Sequence, residues 1–300
     1  MNGRLSNAPA SSSEVVAFSH PKRKQIVPII ADAMVAVFAP IISILLVNVF
    51  GIGVHGPDGH RLRRQPVLFR CGSFWNVNNG CMGVIYSVMT GATLQVIIKL
   101  VIGGLRPHFL AVCDPQTSNK TGTGFNGVYY DITVCRDYNT PHRRDEIANA
   151  MQSFPSGHST AAWAGLFYLS IYLNAHLKIM ANYHASYWKL LVFLTPMLAA
   201  TLLVGALTLD ASHNWYDIVV GSLIGVAMAI IAYRMCFAAV WDFRYNHIPL
   251  SRDRLAAFGY GVAELGEWRG GCATRRAGWG VATQYASSPR MWGAPSELHS

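Results

Sequence analysis

Charge is what this sequence has least of. Only 13% of its 300 residues are Asp, Glu, Lys or Arg, against about 25% in ordinary globular domains. The hydrophobic share is 52% and mean hydropathy is +0.27, so the missing charge is replaced by apolar side chains. That composition excludes a disordered chain, a nucleic-acid module and an ordinary cytosolic enzyme. The net charge of +9 lies mostly outside the apolar runs, as in a protein that meets an anionic membrane surface. Cysteine is scarce too. Six are scattered along the chain, and no two form a Cys-x-x-Cys pair, which excludes a disulfide scaffold and a zinc or redox motif of that kind. No internal repeat is present.

Long uncharged runs are what the sequence does have. A membrane-spanning helix needs about 20 mostly apolar residues. Ile26–Val54 is such a run, interrupted only by Asp32, and it is too long and too far into the chain for a signal peptide. Cys71–Ile98 contains no charge and continues apolar to Ile102, and Ser159–Leu177, Leu190–Leu209 and Ile218–Val240 follow, the last with Arg234 near its end. Five such runs exclude a soluble protein with buried core helices. The predicted fold is all-α, a polytopic membrane helix bundle with about five transmembrane helices at 26–54, 75–103, 158–178, 189–209 and 216–240. Residues 1–20 and 251–300 read as mostly disordered ends around a membrane-embedded domain over 21–250. Residues 104–157 read as one polar loop of 54 residues, and loops beyond about 15 residues are usually functional or disordered.

Alternation of five spans puts the 104–157 and 210–216 loops on one side of the membrane, where three polar motifs meet. In the first, Lys99 and Arg106 are seven residues apart, nearly two helical turns. Alone, the pair reads equally well as a snorkelling lysine and a headgroup arginine. The second is Ser153-Phe-Pro-Ser156-Gly157-His158-Ser159 at the start of a span. Free N–H groups at a helix start bind anions, glycine permits close approach, and His158 can donate a proton. Alone, it also reads as a helix cap beside a surface histidine. The third is His213-Asn-Trp-Tyr-Asp217, whose i, i+4 spacing predicts one shared helix face with the carboxylate orienting the imidazole. A structural pair or half of a metal site reads the same way, although the short loops offer no clear set of further ligands.

In this order and on one face, Lys-x6-Arg-Pro, Pro-Ser-Gly-His and His-x3-Asp resemble the type 2 phosphatidic acid phosphatase (PAP2, lipid phosphate phosphatase) superfamily. The resemblance covers roughly residues 26–250, including Trp241-Asp242 and Asn246-His247-Ile248-Pro249-Leu250. It implies a metal-independent phosphatase without cofactor that works on phosphatidate, diacylglycerol pyrophosphate or lysophosphatidate. His213 would be the nucleophile, Asp217 its orienting partner and His158 the general acid. Lys99, Arg106, Ser156 and the Gly157 backbone would hold the phosphoryl oxygens. Membrane lipids would be the partners. The family usually has six spans, so a count of five leaves one short, the missing one preceding Ile26. The family's third motif also begins Ser-Arg, with five residues between that Arg and the histidine. Here those positions are Ala206 and Leu207. The alternative is therefore a catalytically impaired member that binds lipid phosphates or partners.

The Asn119-Lys-Thr121 sequon and the opposite loop's Arg61, Arg63, Arg64 and Arg70 place the active face in the lumen or outside the cell, while Lys22-Arg23-Lys24 argue the other way. An oxidising compartment on that face predicts a Cys113–Cys135 disulfide, the other four cysteines lying elsewhere.

Overall fold

The computed structural model describes residues 5–6, 18–24, 26–49, 71–116, 129–182, 184–243 and 245–250. Nearly all of 1–20, all of 251–300, the basic 55–70 loop and Asn119 lie outside these residues, so the expectations attached to them stay there.

Seven helices build the described structure: α1 (Ile29–Val49), α2 (Cys71–Ile102), α3 (Phe109–Cys113), α4 (Pro141–Ala150), α5 (Gly157–Leu177), α6 (Tyr187–Leu209) and α7 (Trp215–Cys236). One 3₁₀ turn (Ile132–Val134) and one antiparallel pair of two-residue strands, β1 (Leu5–Ser6) and β2 (Tyr129–Tyr130), are the remaining regular structure among the described residues. The chain is all-α. The five long helices have 21, 32, 21, 23 and 22 residues, and at 1.5 Å per residue each reaches across a hydrocarbon core about 30 Å thick.

Four of the five, α1, α2, α6 and α7, are apolar enough to cross a membrane. They expose large apolar side chains such as Ile30 (74%), Val101 (73%) and Leu202 (66%). Water disfavours such a surface, whereas lipid accepts it. The fifth, α5, is uncharged but less apolar, because none of its residues is exposed. Surrounded by protein, it carries Ser159, Thr160, Tyr168, Ser170, Tyr172 and Asn174, all buried.

The described chain forms two compact units, and each long helix contributes a segment to both. The first unit takes residues 1–36, 88–164 and 198–227. In it, the expected long polar loop is instead a small folded subdomain. Its core joins Phe109, Val112, Val134, Ile147 and Ala150. Pro141 opens α4 at a position where its missing N–H costs nothing. Cys113 and Cys135 form a disulfide with α-carbons 4.7 Å apart. Polar composition hid this subdomain, since its few apolar residues are spread over three short helical pieces.

The second unit takes residues 37–87, 165–197 and 228–300. Its helices are tied by buried side-chain amides. The Asn48 amide donates to Tyr172 Oη at 2.8 Å, and Asn79 donates to the carbonyls of Cys236 and Leu250 at 3.1 and 2.8 Å. At Gly83 a β-carbon would sit 1.9 Å from Tyr168 Oη, so only glycine lets the tyrosine pack there. Lys178 donates to Asn246 Oδ1 at 2.9 Å and to His247 Nδ1 at 2.8 Å, holding the segment after α7.

Candidate active site

All seven residues expected from the three motifs lie in the first unit. The route to that convergence differs from the one the spacing suggested. Lys99 is the basic residue of the last turn of α2, but the helix ends at Ile102 and Arg106 is not on it. Gly103 and Gly104 turn the chain with φ of 69° and 111°, values a β-carbon disfavours. The turned strand then lies against the second motif. Phe154 N donates to Gly103 O at 2.9 Å, Ser153 N to Gly104 O at 3.0 Å, and Arg106 N to Ala150 O at 2.9 Å. Two glycines, not helical periodicity, bring Arg106 beside the Pro155-Ser156-Gly157-His158 turn.

That turn opens α5. Ser156 caps it, its Oγ accepting from Ser159 N at 3.4 Å, so the first N–H groups are presented to an anion. Gln95, one helical turn before Lys99, donates to Pro155 O at 3.0 Å. Ser156 N donates to Asp217 O at 3.1 Å, which links the second motif to the third.

The third motif is also not one helix face. His213 lies before α7, and Asn214 N donates to Asp217 Oδ2 at 3.0 Å, half of a capping box around the first turn. The His213 position is set by the end of α6. Ala211 takes φ +53°, with Ala211 N on Thr208 O and Ser212 N on Leu207 O, both at 3.2 Å. This is a Schellman ending with alanine where glycine is usual. Asp210 Oδ1 accepts from Ser212 N at 3.0 Å and Oδ2 from Ile26 N at 3.3 Å. His108 Nδ1 donates to Ala211 O at 3.1 Å.

The His158 and His213 rings are 6.4 Å apart, centroid to centroid, at 67°. Both are buried, as are Ser156 and Asp217. His158 Nε2 and Arg106 Nε are enclosed without a protein hydrogen-bond partner, so both are open to an oxygen of water or of a ligand. Arg106 Nη2 is held by Asn149 Oδ1 at 3.1 Å. Burial lowers the Arg106 pKa, opposed by the charges of Asp217 and Asp210, and guanidinium stays cationic near neutrality regardless. Lys99 is half-buried and its charge interacts with those of Arg106 and Asp217. Burial pushes His213 below its ordinary 6.5, against the pull of Asp217, so its imidazole is neutral at pH 7. Leu207, where the family pattern has arginine, is 1% exposed and brings no cation. Among the described residues no three His, Cys, Asp or Glu side chains are grouped to hold a metal ion.

The sequence reading missed Ser153, Gln95 and Asn214 as members of the site. Gln95 had a signal, its i, i+4 relation to Lys99. Ser153 and Asn214 lie inside the second and third motifs, but nothing in their spacing gave them a role.

Proteins of known name are similar to this chain. Probable diacylglycerol pyrophosphate phosphatase 1 of Schizosaccharomyces pombe is 32% identical over 228 residues, 75% of this chain and 71% of that protein. Lipid phosphate phosphatase 2 of Arabidopsis thaliana is 26% identical over 168 residues, 56% of this chain and 54% of that protein. Diacylglycerol pyrophosphate phosphatase 1 of Saccharomyces cerevisiae is 32% identical over 145 residues, 48% and 47% of the two. This chain thus spans about half the length of the last two. No solved structure matches it. The PAP2 superfamily model matches residues 80–241, which is more than half of the chain and contains all three motifs, and the protein is a membrane-embedded member of the PAP2 superfamily.

Proposed function

We propose that the protein is a lipid phosphate phosphatase that works through a phosphohistidine. The observation that carries this reading is the pair of buried imidazoles 6.4 Å apart, with the Arg106 guanidinium and the α5 N-terminus beside them. His213 Nδ1 faces Asp217 Oδ2 at 3.7 Å, which leaves Nε2 as the attacking atom. Nε2 forms a bond to phosphorus and the bond to the lipid oxygen breaks. His158 gives that oxygen its proton, and the lipid alcohol leaves. Neutral His158 then takes a proton from water, whose oxygen attacks phosphorus, releasing inorganic phosphate and free His213. Lys99, Arg106, Ser156 and the Gly157 N–H hold the three phosphoryl oxygens, where charge accumulates in the transition state.

Phosphatidate, lysophosphatidate and diacylglycerol pyrophosphate share the terminal phosphate this site would take. The Cys113–Cys135 disulfide lies in the unit that contains the site, which supports an active face turned to an oxidising lumen or the cell exterior. Buried Leu207 favours a second reading, a binding protein with little or no turnover. Phosphate release from phosphatidate micelles in EDTA separates the two. Release by the wild type but not by His213→Ala supports the phosphatase. Phosphatidate binding without release supports the second reading.

A further inference from the structure

Ser153 belongs to none of the residues through which the proposed reaction runs, yet its hydroxyl lies between two of them. It is 1% exposed, and its backbone N–H is already satisfied by Gly104 O. The side chain points away from that contact. Oγ donates to Asp217 Oδ2 and lies 3.5 Å from His213 Nδ1. The direct separation of His213 Nδ1 from Asp217 Oδ2 is 3.7 Å, longer than the 3.5 Å to Ser153 Oγ, so the hydroxyl is the nearer acceptor for an Nδ1–H. Asp217 Oδ2 is otherwise occupied by Asn214 N at 3.0 Å and Asn214 Nδ2 at 3.4 Å, donors that fix the carboxylate and leave the imidazole to the hydroxyl.

We infer that Ser153 is a positioning residue that couples Asp217 to His213 through its hydroxyl, so that the carboxylate sets the imidazole tautomer by relay and not by direct contact. The inference rests on the phosphohistidine reading above. In the relay His213 Nδ1–H donates to Ser153 Oγ, and Ser153 Oγ–H donates to Asp217 Oδ2. Each hydrogen stays on its own atom. A hydroxyl suits this place because it accepts and donates at once. With Nδ1 protonated, the lone pair at Nε2 faces phosphorus. When Nε2 takes the phosphoryl group, the ring becomes cationic, and both hydrogen bonds strengthen against the buried carboxylate. The gain appears during reaction and not on substrate binding, so it belongs in kcat.

The test uses the full chain in detergent micelles with phosphatidate. Ser153→Ala should keep its thermal midpoint and the Cys113–Cys135 disulfide. Its kcat should fall about 10- to 100-fold, the range seen when a partner that orients a functional histidine is lost, while KM changes less than about twofold. Ser153→Thr, which keeps the hydroxyl, should recover most of the loss. Combining Ser153→Ala with Asp217→Ala should cost no more than Asp217→Ala alone, because the two act through one path. A Ser153→Ala kcat within twofold of wild type, or costs that multiply in the double variant, overturns the relay. Histidine nitrogen NMR reads the same inference without turnover. Wild-type His213 should carry its proton on Nδ1, and Ser153→Ala should show a mixture. A wild-type proton on Nε2 overturns the relay even where the variants do not fold. Failure of the wild type to release phosphate would count against the proposed function alone, since the tautomer still decides the role of Ser153.

Discussion

Gly221 of α7 lies directly against the backbone carbonyl of Ser156: a β-carbon on Gly221 would stand 2.6 Å from that oxygen and 3.1 Å from the β-carbon of Ser159. Thr160 Oγ1 bridges the same contact, donating to Ser156 O at 3.0 Å or Gly221 O at 3.1 Å. The helix that follows the proposed nucleophile thus packs backbone to backbone on the turn that would hold phosphate. Gly221→Ala should push that turn aside. Overpacking of this kind costs about 1–3 kcal/mol, and kcat/KM should fall far more than stability alone explains, because the Ser156 hydroxyl and the Gly157 N–H lose their aim. Thermal midpoint and kinetics measured on one preparation check this, and unchanged kinetics would show that the turn tolerates the shift.

Ala211 offers the opposite sign. It holds φ +53° at the end of α6, a region that costs an L-residue roughly 1 kcal/mol or more. Ala211→Gly should raise stability by about 0.5–1 kcal/mol without loss of activity, read as a higher thermal midpoint. Its carbonyl bond from His108 remains available to glycine. A lower midpoint would mean that the alanine methyl packs well enough to offset its strain.

The pH profile follows from His213. Burial holds its folded pKa below 6.5. The proposed nucleophile therefore loses its proton below pH 6.5, so the acid limb of kcat/KM, which reports that step, should be centred below that value. For stability the sign is the same. The unfolded chain binds a proton at this histidine once pH falls through 6.5, while the folded chain does not, so this contribution is present above 6.5 and lost as pH falls toward the folded pKa. An acid limb of kcat/KM centred at or above 6.5 would remove the assignment.

Leu207→Arg tests what the third motif lacks. The Leu207 side chain is buried, and Asp210, three residues on, is 2% exposed; among the described residues its carboxylate accepts from Ile26 N and Ser212 N. An arginine there should lower the thermal midpoint and raise kcat/KM for phosphatidate by about tenfold or more, since a preorganised cation on a transferring phosphoryl group contributes several kcal/mol. A fall in both would show that the pocket has been rebuilt around leucine.

Membrane residence and the helical class were legible from composition and run length, because lipid demands apolar stretches long enough to span it. The two histidines proposed to react were legible because their spacing to Asp, Ser and Gly is local. Other features were not. Lys99 and Arg106 seemed to share a helix face, but Gly103 and Gly104 end the helix between them. Residues 104–157 seemed one loop, but α3 and α4 fold on each other and on the disulfide.

By itself, then, the sequence determined the solvent of the helices and the family motifs from which the proposed reactive groups come, since both depend on residue type and near spacing. Only the tertiary structure decided that Ser153 sits between His213 and Asp217, that Gln95 holds Pro155, and that α5 is enclosed by protein. These are contacts between residues up to 64 positions apart. Whether a serine hydroxyl or an uncharged helix turns toward a partner depends on which backbones pack together, and no local pattern of residues carries that information.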